Sequence, residues 1–228
     1  MKRLFSALTA AALLVLTACG QTAADPAPDP QPPAQSTAPA AGTDPADAGA
    51  NVLIAYFTVP ETDDVDTVSS ASRVATDNGV VGNTQFIAQA IQQAVDGDLF
   101  AIETVQQYPG THDELLDFAY NELREYARPE LTSQIENLDD YDTIFLGYPN
   151  WNSDLPMPLY TFLESYDFSG KTIIPFVTHG GSGFSRTVST IQKLQPEAAV
   201  IEDGLSISRG DVADAAQQAM EWASSLVG

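Results

Sequence analysis

Gly82-Asn83-Thr84 stands directly before a stretch of helical periodicity. Backbone N–H groups at a helix start have no intrahelical acceptor, and the helix dipole favours an anion there. The hydroxyl and amide groups of Asn83 and Thr84, with Thr58 at the end of the preceding apolar run, add neutral donors. The chain has neither a Walker lysine motif nor a spaced dinucleotide glycine fingerprint. The chemistry these residues suit is a neutral-donor grip on a phosphate monoester. Asn83 also fits an ordinary helix N-cap, and its residue type leaves both readings open.

Two further loops carry groups for a flat polar ligand. Pro149-Asn150-Trp151-Asn152-Ser153-Asp154 presents a large aromatic after an apolar strand. Such a ring stacks on a flat ligand or closes over its own domain. Thr178-His179-Gly180-Gly181-Ser182-Gly183 has three glycines in four residues. Glycines let backbone N–H groups approach a ligand edge closely, and they also suit a flexible turn. The Gly-Ser-Gly run is not a serine-hydrolase elbow, because Phe184 stands where G-x-S-x-G needs glycine. Glu61, Asp63, Asp64 and Asp66 lack the spaced glycine and distal Glu of a calcium loop, so no metal site is expected.

Apolar runs of strand length cover Val52–Phe57, Leu99–Thr104, Thr143–Tyr148, Thr172–Thr178 and Ala198–Glu202. Helical periodicity covers Thr84–Val95, Asp113–Ala127, Ser185–Leu194 and Asp211–Leu226, with a short helix at Pro156 capped by Ser153 or Asp154. Alternating strands and helices predict an α/β, doubly wound, five-stranded parallel sheet. Ligands of such sheets bind beyond the carboxyl ends of the strands, where all three loops fall. The 25 residues between Thr58 and Thr84 exceed an ordinary connection. Asn78-Gly79 between apolar pairs predicts a β-hairpin inserted there. Pro175 removes a ladder donor from a central strand and predicts a bulge.

The chain has 228 residues, 31 Asp+Glu against 9 Lys+Arg, and a formal charge of −22. This balance argues against nucleic acid, whose phosphates need a basic surface, and suits solubility and steering toward basic partners. A single cysteine, Cys19, excludes an internal disulfide and multi-cysteine metal sites. It follows Lys2-Arg3 and the apolar run Leu4–Leu16. Leu16-Thr17-Ala18-Cys19 resembles a bacterial lipobox, which implies a signal peptide over 1–18, lipidation of Cys19, and an extracytoplasmic, membrane-anchored protein. Residues 19–50 hold the lipidated cysteine and a tether with seven of the fifteen prolines and no aromatic or basic residue, a composition that cannot bury a core. The folded domain is expected over 51–228.

The ordered set Leu53-Ile54-Ala55-Tyr56-Phe57-Thr58, Gly82-Asn83-Thr84, Gly147-Tyr148-Pro149-Asn150-Trp151, Leu155-Pro156-Met157-Pro158 and Phe176–Gly183 resembles the flavodoxin-like superfamily of FMN proteins, in particular secreted ones with an extended first loop. The resemblance implies strand order 2-1-3-4-5 and FMN as cofactor. It implies a phosphate grip at Thr58, Asn83 and Thr84, and an isoalloxazine loop at Pro149, Asn150, Trp151 and Asn152. It also implies a pyrimidine-edge loop at Thr178, His179, Gly180, Gly181 and Gly183. The implied activity is electron transfer or FMN-dependent reduction of a small acceptor, with a redox partner, quinone or NAD(P)H. The alternative is a non-catalytic ligand-binding lipoprotein on the same fold.

Overall fold

The computed structural model describes residues 51–60, 72–77 and 79–227. Cys19, the 1–18 signal, the 19–50 tether, the acidic stretch from Glu61 to Asp66 and Asn78 of the expected turn lie outside the described residues. The chain divides into two units, 1–44 and 45–228, and all that follows concerns the second.

Its sheet is built from β1 (Val52–Tyr56), β4 (Asp98–Ala101), β5 (Thr143–Pro149), β6 (Thr172–His179), β7 (Ala199–Val200) and β8 (Leu205–Ser208). All pairs are parallel, in the order β4-β1-β5-β6, with β7 and β8 both against β6. Every β1 residue is buried, because helices cover both faces and leave no polar side. Leu53, Ala55 and Phe57 face one core with Leu115, Leu159, Phe162 and Ile191. Val52 and Ile54 face the other with Ile87, Ile91, Ala219 and Ala223. The helices are α1 (Asn83–Val95), α2 (His112–Glu125), α3 (Met157–Ser165), α4 (Thr187–Leu194) and α5 (Ala216–Val227).

The fifth strand position differs from the single run Ala198–Glu202. It is split, β7 pairing with Thr172 and Ile173, and β8 with Phe176 to His179. The gap falls at Ile174-Pro175, where proline has no N–H to donate. Pro175 itself stays in register with Leu146 on the β5 side. Gly204 sits against the break: a Cβ there would lie 2.1 Å from the Pro175 carbonyl oxygen.

Inside the insertion, β2 (Arg73–Thr76) and β3 (Gly79–Gly82) pair antiparallel, Thr76 opposite Gly79. Two local expectations are corrected. The α3 N-cap is Pro156, with no side-chain cap; the Asp154 carboxylate is instead held by Leu155 N–H, Tyr160 and Arg186. The helix expected over Asp113–Ala127 ends at Glu125: Tyr126 lies one residue past it at φ 51° and is 77 % exposed.

Candidate functional site

The carboxyl ends of β1, β5, β6 and β8 surround a cleft of about 350 Å³, within the usual range of small-ligand sites. Of the residues singled out from the sequence, Thr58, Asn83, Thr84, Pro149, Asn150, Trp151, Asn152, Thr178, His179 and Gly180 line it. Gly181 and Gly183 do not. They shape the loop instead, at φ 127° and 57°, where a side chain would be strained.

The long insertion returns to its start. The N-cap of α1 is Gly82, and it lies so close to Thr58 that a Cβ on Gly82 would fall 2.0 Å from Thr58 Oγ1. Asn83 is therefore the first helical residue and not a side-chain cap; its backbone N–H donates to Ser72 O at 3.0 Å, fastening the hairpin base to the helix. The N–H groups of the next residues keep no intrahelical acceptor. Thr84 is buried, and its hydroxyl shares a 2.9 Å hydrogen bond with the buried Thr178 hydroxyl at the end of β6. Each hydroxyl has one hydrogen, and the pair uses only one of the two.

Asn150 joins the second and third loops. Its backbone N–H donates to Thr178 O at 2.8 Å, and its side-chain amide donates to Gly183 O (2.6 Å) and Ser185 Oγ (3.2 Å). Among the described residues, the buried Asn150 Oδ1 has no hydrogen-bond partner, which for a buried acceptor costs about 1–3 kcal/mol. Asn152 and Ser153 both take positive φ, 53° and 61°, in a tight turn closed by Asp154 N–H to Trp151 O at 3.0 Å. The turn is held by the Asp154–Arg186 ion pair (2.6 Å) and by Asn152 Nδ2 reaching Leu116 O of α2.

Trp151 is not an exposed ring. It is 5 % exposed, packed edge-on to Phe57 (centroids 5.4 Å, 80°) and beside Tyr108 (5.6 Å). Tyr108 in turn donates to the buried Glu122 carboxylate. Burial raises the Glu122 pKa, against lowering by the Tyr108 and Gln106 hydrogen bonds. The indole thus forms a rigid wall, with one aromatic cluster behind it.

His179 accepts the Gly181 N–H on Nδ1 at 2.9 Å. That bond needs an unprotonated Nδ1. Burial lowers the His179 pKa, opposed by Asp211, and so favours the neutral ring with its proton on Nε2.

The sequence reading missed Ser72, His112, Leu115, Leu116 and Arg209, which also line the cleft. Arg209 follows β8, whose Leu205-Ser206-Ile207-Ser208 alternation is the signal of a half-buried strand. Among the described residues the lining contains no carboxylate, although the chain carries 31 acidic residues. Hydroxyls, amides, a helix start and one guanidinium make a wall suited to a polar ligand bearing a phosphate. FMN has those features, and the donor set fits it.

A family model described as flavodoxin matches residues 73–223. The chain belongs to the flavodoxin family. No protein of curated function matches it. Among solved structures it is similar to a provisionally named flavoprotein from Bacteroides eggerthii DSM 20697, at 25 % identity over 78 % of this chain and 97 % of that one, TM-score 0.52. Another such protein, from Bacteroides uniformis ATCC 8492, is 29 % identical over 73 % and 97 %, TM-score 0.50. A flavoprotein from Lactobacillus acidophilus NCFM, solved in complex with FMN, is 19 % identical over 74 % and 99 %, TM-score 0.50, and shares the fold.

Proposed function

We propose that this member of the flavodoxin family binds FMN in the cleft and serves as a redox protein, carrying electrons or reducing a small acceptor such as a quinone with NAD(P)H as donor. The observation that carries the reading is the convergence of the three loops on a cleft whose described lining is hydroxyls, amides and a guanidinium and holds no carboxylate. Such a lining suits a negatively charged ligand.

FMN, when bound, supplies the reversible uptake of electrons. Thr58, Asn83, Thr84 and the first turn of α1 hold the phosphate. Thr178, bonded to Thr84, fixes the distance between that grip and the β6 loop. Asn150 lines the cleft and ties its second loop to its third through Gly183 O. Neutral His179 keeps the 179–183 loop folded through Gly181. Trp151, backed by Phe57 and Tyr108, excludes water from one side.

The lipobox reading extends the proposal to place. The chain crosses the membrane unfolded by the general secretory route, folds outside, takes up FMN there, and stays tethered through Cys19. Reconstitution tests the first part: purified protein with FMN is yellow after desalting, with one flavin per chain. Turnover with NADH or NADPH and a quinone then separates reductase from carrier. Colourless protein after reconstitution supports a binder of another ligand. A Cys19→Ala variant is released from the membrane with unchanged FMN affinity.

A further inference from the structure

Among the described residues the cleft wall carries one guanidinium, that of Arg209. Its backbone N–H donates to His179 O at 2.8 Å, which anchors it beside the end of β6. Its side chain lies along Gly180: a Cβ on that glycine would meet the guanidinium Cζ at 3.7 Å and Nε and Nη1 at 3.8 Å. Among the described residues no carboxylate forms an ion pair with it. Asp211, two residues on, acts on the His179 imidazole.

Two anionic parts of the ligand could use this charge. The phosphate belongs to the grip at Thr58, Asn83 and Thr84. Arg209 lies instead against the 178–183 loop, which serves the pyrimidine edge. Resting on the FMN reading above, we propose that Arg209 sets the redox preference of the site by stabilising reduced FMN over oxidised FMN. Adding two electrons and one proton to the oxidised ring leaves it with one more negative charge. A guanidinium at the pyrimidine edge attracts that charge, and the ring hydrogen-bonds to its planar fork. The acidic surface acts in the opposite direction, so this single cation offsets a field that otherwise holds the flavin oxidised.

Four proteins test this: wild type, Arg209→Gln, Arg209→Lys, and Lys193→Gln as an exposed charge control on α4. FMN and riboflavin affinities are titrated in the oxidised state, and the two-electron midpoint potential of the FMN-loaded protein is measured against redox dyes with dithionite as reductant. Arg209→Gln should weaken reduced FMN about tenfold more than oxidised FMN, a drop of about 30 mV in potential. Its FMN-to-riboflavin affinity ratio should match wild type. Arg209→Lys should recover most of the potential, and Lys193→Gln should leave both quantities unchanged. A lower FMN-to-riboflavin ratio at unchanged potential makes Arg209 a phosphate ligand and overturns the proposal, as does no change in either. Wild-type protein that binds no FMN overturns the cofactor reading itself, and a wild type that binds FMN normally isolates the result to Arg209.

Discussion

Thr84 and Thr178, 94 residues apart in the chain, share a buried hydroxyl–hydroxyl bond of 2.9 Å. It ties the first turn of α1 to the end of β6, two of the three loops that build the cleft. Thr178→Val leaves the Thr84 hydroxyl without that partner and should cost about 1 kcal/mol of stability. The Thr84→Val/Thr178→Val double variant should cost less than the sum of the singles, because the pair is lost only once. Urea unfolding of the four proteins checks this; strict additivity refutes the coupling.

Gly82 and Thr58 define how tightly the insertion closes. Gly82→Ala places a methyl 2.0 Å from Thr58 Oγ1 and 2.9 Å from its Cγ2. Forced repacking of this kind costs about 1–3 kcal/mol. Adding Thr58→Gly removes the obstructing atoms, so the double variant should regain thermal stability but not FMN affinity. Recovery of both would remove Thr58 from the phosphate grip.

Trp151 carries a structural duty beside any ligand contact. Its ring is buried against Phe57 and Tyr108, so Trp151→Ala should destabilise the FMN-free protein by about 3–5 kcal/mol, the range of large aromatic truncations in cores. Trp151→Phe should keep most of that stability. Thermal melts of both without FMN decide it; unchanged melting of the alanine variant would contradict the buried placement.

Stability should also depend on His179. Its pKa in the folded protein is lowered, first by burial, so the unfolded chain takes up the proton before the folded one. The stabilising contribution is full above pH 6.5 and is lost as pH falls below it. Protonation also breaks the Gly181 N–H bond to Nδ1. In an NMR titration, the His179 ring should titrate below 6.5 and the Gly181 amide should move with it. A His179 midpoint at or above 6.5 contradicts the burial argument.

The sheet was legible where strands are buried on both faces. Val52–Phe57, Thr143–Tyr148 and Thr172–Thr178 end within a residue of β1, β5 and β6, because continuous apolar runs leave little room for another reading. The edge was harder. Leu205–Ser208 alternates with period two over only four residues, and Pro175 breaks the ladder that would have joined it to Ala199–Val200. Arg209 hangs from that unread strand, so its guanidinium at the site went unseen. The loop contents were readable from residue type, but their closure was not: no local pattern announces that Ser72 O receives the Asn83 N–H. The packing of Trp151 was hidden for a related reason. Its packing partner Tyr108 lies in an irregular stretch between β4 and α2, where periodicity gives no signal of contact.

The central claim is that the start of α1 and the Thr58–Thr84 cradle grip a phosphate while the other two loops hold a flat ring. Parallel titrations of the purified domain, residues 51–228, with FMN and with riboflavin test it most directly, followed by flavin fluorescence at moderate salt. Saturation at one FMN per chain is expected, with riboflavin bound at least tenfold more weakly for want of the phosphate. Equal affinity for the two ligands, or binding of neither, would contradict the account.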